Sequence, residues 1–406
     1  MVSLHKGSRD LIRDLNHHLV LTLLRTYAPI AQQEIARLSG LSPATISSII
    51  ADLTTDGWIE EVGFGPSTGR RGGRRPVLLR LNARAGLVIG VKMMEHAIVT
   101  VITDLDATVL HSAAVSLELP VTSQEYVDPD HVIAALRKAI EAILASSGVN
   151  PQHILGIGVG ISGLVDAKEG ICRVSRIFPG QRDVPLAAIL TEHLGLPVSI
   201  ENDVRARTIA EHAFGPGHNV QHFLLVTIGR GIGSGIVING QLYRGAVNGA
   251  GELGHMCMDE NGPLCECGRR GCLEALASTP AIVTQAASAY LAAARKPPDS
   301  IEELVEAAQG GDTLAQQLLA RAGHLIGLGV ANAVNLLSPE CIFVVGEGTS
   351  AGEWLLEPLR KAMRTHIFPG LNSELVVDVE AKSDEAWARG SACMVISTLF
   401  QSPIPA

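Results

Sequence analysis

The stretch Gly249-Ala250-Gly251-Glu252-Leu253-Gly254-His255 is followed closely by Cys265-Glu266-Cys267-Gly268-Arg269-Arg270-Gly271-Cys272-Leu273-Glu274. Three of the chain's 7 cysteines therefore crowd into one short segment, separated by small or flexible residues. Cys-x-Cys-x4-Cys with a histidine upstream has the spacing of a closed tetrahedral zinc site. Four protein ligands leave no position for water, so the expected metal is structural, a clamp on the loop that places Glu252 and Glu274. Cys257 is a rival fourth ligand, and a redox pair is the alternative use of such spacing. Cys172, Cys341 and Cys393 read as buried thiols.

Upstream lies Thr227-Ile228-Gly229-Arg230-Gly231-Ile232-Gly233-Ser234-Gly235, with glycine at every second position after an apolar run at 223–228. Such a loop presents backbone N–H groups and suits phosphate, although glycine-rich hairpins also arise for steric reasons. Further upstream, Glu201-Asn202-Asp203 ends the expected strand at 198–200. Ligand groups collect beyond strand carboxyl ends in open α/β sheets. A carboxylate beside an amide suits a vicinal diol, and a helix cap is the plainer reading. Strands are expected at 87–91, 97–102, 108–110 and 155–161, with helices at 130–147, 186–194 and 384–400. The strand–helix order restarts at Phe223, so the body reads as an α/β fold of two lobes around a cleft.

The first 82 residues differ in texture. They hold 10 Lys/Arg against 7 Asp/Glu, a small basic excess on a chain of net charge −9. Leu11, Leu15, Leu19 and Leu23 mark an apolar face on a helix at 8–27. A short helix at 32–39 is broken by Gly40, and Ser42-Pro43 supplies the cap and first position of a third. Ile46, Ile49, Ile50 and Leu53 form its buried stripe, and Gly57 stops it. That is the helix-turn-helix pattern. Ser42, Ala44, Thr45, Ser47 and Ser48, at its start and off the stripe, are small enough to approach a DNA major groove. Strands at 58–62 and 77–81 flank a loop carrying Arg70, Arg71, Arg74 and Arg75 among glycines, a cationic wing suited to a narrow minor groove.

The chain has 406 residues, 47% of them apolar and only 3% aromatic, so its core is aliphatic. Length indicates two or three domains. No apolar run is long enough for a membrane span, the first ten residues lack a secretory pattern, and the cysteine count is not that of a disulfide framework. A cytoplasmic protein is expected.

With these constellations in this order behind a winged helix-turn-helix, the chain resembles the regulator branch of the ROK family (repressors, open reading frames and sugar kinases). The resemblance rests on Cys-x-Cys-Gly-x-x-Gly-Cys-x-Glu, Glu252-x-Gly254-His255 and Asn202-Asp203, and extends over the whole chain. It implies an actin-like, hexokinase-type body and a zinc on His255, Cys265, Cys267 and Cys272. It also implies a sugar touched by Gly163, Asn202, Asp203, Glu252, His255 and Glu274. Asp203 matches the base that deprotonates the sugar in family kinases. Three domains are expected: a head at 1–82, a first lobe at 83–200 joined by the helix at 384–400, and a second lobe with the zinc loop at 201–383.

This chain departs from the kinases where phosphate is handled. They carry Asp-x-Gly-Gly-Thr where Lys92-Met93-Met94-Glu95-His96 stands here. Positioning and charge neutralisation carry phosphoryl transfer, so loss of that cradle should abolish it. Arg230 replaces the usual Thr of the second phosphate loop, and Val345-Gly346-Glu347-Gly348 matches the adenosine motif only in part. In the stretch from Ile177 to Leu186, Ile177 and Gln181 replace Asn and Trp of the glucose-binding pattern. The expected function is a sugar-responsive transcriptional repressor, a homodimer or homotetramer on palindromic DNA, with no catalytic residues in use and a sugar or sugar phosphate as effector. The alternatives are a sugar kinase with a DNA head and a regulator controlled by a protein partner.

Overall fold

The computed structural model describes residues 9–66, 75–94, 97–117, 129–178, 180, 182–371, 375–380 and 383–400. Arg70, Arg71, Arg74, Glu95, His96 and Gln181 lie outside them.

The head contains α1 (Arg9–Tyr27), β1 (Ile30–Ala31), α2 (Gln32–Ser39), α3 (Pro43–Thr55), β2 (Ile59–Phe64) and β3 (Val77–Leu81). Gly40 adopts φ +70 and caps α2, and Ser42 Oγ accepts from Thr45 N at 3.1 Å to start α3. These local groups satisfy backbone donors and acceptors that a helix end leaves open. β3 pairs antiparallel with β2 and with the unanticipated β1, making a small three-stranded wing. Ile35, Ile46, Ile49 and Leu53 close the core against Val20 and Leu24.

The expected leucine face of α1 needs correction. Val20 and Leu24 are buried, Leu15 and Leu23 are half-buried, and Leu19 is exposed. A step of four residues turns about 400°, so a strict four-residue row drifts some 40° per step off any one face. A second contact also rotates the helix. Its other side meets the body, where Thr22 Oγ1 donates to Phe400 O at 3.1 Å and Arg25 donates to Ile396 O at 3.3 Å.

The first lobe is a five-stranded sheet of order β10-β7-β4-β5-β6. Its strands are β4 (Leu87–Met93), β5 (Ala97–Thr103), β6 (Val109–Ser116), β7 (Ile154–Ile161) and β10 (Val198–Asn202), with β4, β7 and β10 parallel. β10 runs to Asn202, two residues past the expected lobe limit, and β6 runs well past Leu110. A small hairpin, β8 (Leu164–Asp166) and β9 (Ile171–Val174), follows β7. α4 (Pro129–Ser147) and α5 (Leu186–Leu194) bury Leu136, Ile140, Leu186 and Leu190 against one sheet face. α6 (Asp203–Phe214) and the last helix of the chain cover the other. That last helix lies so close to the sheet that a Cβ on Gly90 would sit 2.0 Å from Ala388 O, and one on Gly158 1.9 Å from Ser391 O. Only glycine fits at either position.

The second lobe has sheet order β13-β12-β11-β14-β15: β11 (Phe223–Ile228), β12 (Ile232–Ile238), β13 (Gln241–Leu242), β14 (Cys341–Val345) and β15 (Val376–Val379). α7 (Leu273–Ala277), α8 (Thr279–Ala292), α9 (Ile301–Gln309), α10 (Thr313–Leu337) and α11 (Glu353–His366) build its aliphatic core. α12 (Asp384–Leu399) returns to the first lobe and packs along α6. No described helix is long and apolar enough to cross a membrane.

Candidate functional site

A cleft of about 830 Å³ opens where β10 passes into α6, facing β12, the 249–255 loop and the cysteine loop. Gly163, Asn202, Asp203, Glu252, His255 and Glu274 all line it. Asn202 caps α6 through Oδ1, which accepts from Arg205 N at 3.1 Å, while Nδ2 donates to Gly163 O at 3.0 Å. The helix-cap reading of this residue holds, and its amide also ties the cap to Gly163. Gly163 has φ +116, and a Cβ there would lie 2.2 Å from Val174 O, so the close approach requires glycine. Glu274 Oε2 accepts from Ile232 N at 2.9 Å, and Glu252 is exposed beside His255, with Oε2 3.8 Å from Nε2.

Asp203 is buried and forms an ion pair with the buried Lys92, whose Nζ also lies 5.0 Å from the Trp387 ring centroid. Burial pushes the Asp203 carboxyl up, but the ammonium beside it outweighs this and holds it below the usual carboxylate range. The Asp203 carboxylate is therefore held as the charged partner of Lys92.

Two more carboxylates lie beside the glycine loop. Glu347 accepts from Arg230 N in the glycine loop, and a Cβ on Gly229 would lie 2.2 Å from its Oε2. Glu266 accepts from Arg230 at 2.9 Å and from Arg176 at 2.8 Å, joining the second-lobe cysteine loop to the first lobe across the cleft mouth. The sequence reading missed Glu266 and Arg176. Glu347 had a visible signal, since it stands between two glycines of the partly matched adenosine motif. Glu201 turns away from the cleft, fully buried, and pairs with Arg205 at 2.9 Å and Arg244 at 2.8 Å.

His255, Cys265, Cys267 and Cys272 converge, with their ligand atoms all within 4.8 Å of one another. Cys265 Sγ is 3.6 Å from His255 Nδ1, and the Cys267 and Cys272 sulfurs are 3.6 Å apart. Cys257 stays outside this group, its thiol 3.7 Å from Arg270 O. Three thiols and one imidazole at this separation fit a tetrahedral metal ion.

On the head, Ala44 and Ser48 are exposed. Ser42 and Thr45 bond each other at 2.8 Å, and Ser47 accepts from Gln32 and donates to Pro43 O at 2.9 Å. Arg75 donates to Gly65 O at 2.9 Å and Phe64 O at 3.1 Å, so its guanidinium closes the base of the wing. Behind the head, Arg25 lies between the rings of Phe214 and Phe400, 4.8 and 4.9 Å from their centroids. Burial there lowers its pKa from the ordinary value.

A winged helix-turn-helix joined to a two-lobed, actin-like and hexokinase-type body with an interlobe cleft is the class these features define. The chain belongs to the ROK family, whose model matches residues 88–398. The MarR family model matches residues 14–61, within the head. A xylose repressor of Caldicellulosiruptor bescii is 29% identical over 98% of this chain and 99% of its own length. The crystal structure of a ROK family transcriptional regulator, a homolog of the E. coli MLC protein, superposes with TM-score 0.81 at 27% identity, covering 96% of this chain and 97% of its own. A ROK family glucokinase from Streptomyces griseus, solved with glucose and AMPPNP, matches with TM-score 0.64 at 28% identity, covering 76% of this chain and 99% of its own.

Proposed function

We propose that this protein is a sugar-responsive DNA-binding transcriptional repressor, a cytoplasmic homo-oligomer whose cleft binds a sugar or sugar phosphate without phosphorylating it. The observation that carries the reading is the Lys92–Asp203 pair in a cleft joined to a DNA-binding head. The residue in the position of the kinase base is neutralised, and Glu347 occupies the N–H group of the glycine loop that a phosphate would need. Gly163, Asn202, Asp203, Glu252, His255 and Glu274 hold the sugar. The two heads of a dimer read half-sites about one helical turn apart, with α3 in the major groove. Sugar alters DNA affinity only to the extent that it binds the DNA-competent and DNA-free forms unequally. A gel-shift panel across pentoses, hexoses and amino sugars tests this. No change in operator affinity with any saturating sugar would end the sensor reading.

One observation favours a second reading, a sugar kinase that also carries a DNA head: Asp203 stands at the mouth of the cleft's helix, where family kinases keep their base. A coupled ADP-release assay separates the two, and robust turnover would decide for the kinase.

In this reading zinc is the metal held by His255, Cys265, Cys267 and Cys272, and its part is structural. His255 Nε2 lies 3.8 Å from Glu252 Oε2, so the imidazole that would bind the metal sits beside a carboxylate of the cleft. Cys267→Ser is expected to release the metal and lower sugar affinity at least tenfold. Normal sugar binding in protein shown to be metal-free by elemental analysis would reject the clamp. For the wing, Arg70→Ala with Arg71→Ala is expected to weaken binding to all DNA sequences and to lower the salt slope by about 1–2. An unchanged slope would place the wing off the duplex.

A further inference from the structure

A second cavity, about 430 Å³, adjoins the cleft, and Leu164 and Val174 belong to the walls of both. Its volume lies within the roughly 300–1,000 Å³ of small-ligand sites. One wall is the β8–β9 hairpin with Asp166 and Arg173. A second comes from Arg182 and Asp183, in the stretch that departs from the glucose-binding pattern, and the third is the 246–248 loop. Neither the kinase-derived roles nor the DNA head accounts for this space.

The chemistry of its walls is specific. Arg173 donates to Asp166 at 2.8 Å and to Asp183 at 3.0 Å, so two carboxylates fix the plane of one guanidinium. Ion pairs of this kind offer in-plane donors and acceptors to hydroxyl groups. Val174 and Val247 are 43% and 75% exposed, an apolar surface left facing solvent beside those charges. A pyranose or furanose ring has the matching character, with polar hydroxyls around its edge and C–H groups on its faces.

The two spaces are also held in register. Arg205 donates to Val165 O in the hairpin at 3.0 Å and to Asn248 O in the opposite loop. Val165 lies two residues beyond Gly163, and Asn248 directly precedes the 249–255 loop. One buried guanidinium therefore sets the opening between the first-ring residues and the second cavity.

We propose that this cavity is a second saccharide subsite and that the effector is an oligosaccharide of at least two linked rings. The inference rests on the sugar reading of the cleft and narrows it. The first ring lies at Asn202 and Asp203, and the second passes Leu164 and Val174 to meet Arg173, Asp183 and Val247.

Calorimetry on the full-length protein with xylose and xylobiose, glucose and cellobiose, and N-acetylglucosamine and chitobiose tests it. One disaccharide is expected to bind at least tenfold more tightly than its own monosaccharide. Arg173→Ala and, separately, Val247→Glu are expected to remove most of that advantage while leaving monosaccharide affinity within twofold. Val247 is a surface side chain, so its substitution keeps the test open if the arginine variant folds poorly. Equal affinities within every pair, or variants that weaken both members alike, would overturn the subsite and leave the parent reading standing. Binding of none of the six sugars would overturn both.

Discussion

Lys92→Met is expected to cost about 3 kcal/mol of folding stability at pH 8, a large share of the roughly 5–15 kcal/mol that holds a domain folded. The ammonium sits between Asp203 and the Trp387 ring, and both charged side chains are only 11% exposed. Removing it strands a carboxylate in the protein interior. In the native chain the Asp203 carboxyl is held below its unfolded value, so its contribution is present above that value and lost as pH falls through the lowered one. In the variant, burial without its partner raises the carboxyl, and the sign reverses. The penalty is then full at high pH and fades as pH drops toward the unfolded value near ~4. Urea unfolding at pH 5 and pH 8 should therefore show a smaller deficit at pH 5. Adding Asp203→Asn should recover much of the loss, since the two changes are coupled. An equal deficit at both pH values would show that the pair is not what the substitution disturbs.

Arg25→Ala is expected to leave operator affinity and sugar affinity each within about threefold while abolishing the effect of one on the other. α6 starts at Asp203, beside the sugar residues, and ends at Phe214 on the Arg25 guanidinium, about 18 Å away. α12 reaches the same guanidinium through Phe400 and the Ile396 carbonyl. A shift of α6 against α12 as the cleft closes would be felt at α1 and hence by the head. Couplings between sites typically amount to about 1–3 kcal/mol, or 5–150-fold. Operator titrations with and without saturating sugar measure this directly. A full sugar response in the variant would place the route elsewhere.

What could be read from the sequence was local. Ser42, Pro43 and Gly40 announce their helix ends because capping involves neighbours along the chain. The cysteine loop announces itself because a histidine and three cysteines fall within a short segment, and in the structure His255, not Cys257, gathers with the three thiols. Pairings between distant segments were silent. Lys92 and Asp203 are 111 residues apart, and Arg230 and Glu347 117. The stretch Lys92–His96 could be seen to depart from the kinase motif, but Lys92 could not be seen as the partner of Asp203. In the second lobe, α9 and α11 do carry an apolar stripe, Ile301, Leu304, Val305 and Ala308 on one and Leu355, Leu359 and Met363 on the other, while α10 is obscure for a physical reason. α10 is buried on several sides, and Gly323 and Gly327 let α11 approach so closely that a Cβ would meet its backbone at 2.1 and 2.3 Å. A helix enclosed in this way shows a wide apolar band with only a narrow exposed edge, at Thr313, Gln317, Arg321, His324 and Asn332, in place of the usual half-and-half pattern.

Three pairings bear on how this cleft could change over time. The Glu347 carboxylate answers the Arg230 amide, while Glu266 answers the Arg230 side chain and Lys92 answers Asp203. Trading Lys92 alone strands the buried Asp203 carboxylate, whereas Glu266 keeps Arg176 when Arg230 is traded and the Arg230 amide that Glu347 accepts from survives any side chain there, so the costly first step is the one at Lys92. That one buried pair works as a ratchet: position 92 is held to a cation for as long as position 203 stays a carboxylate.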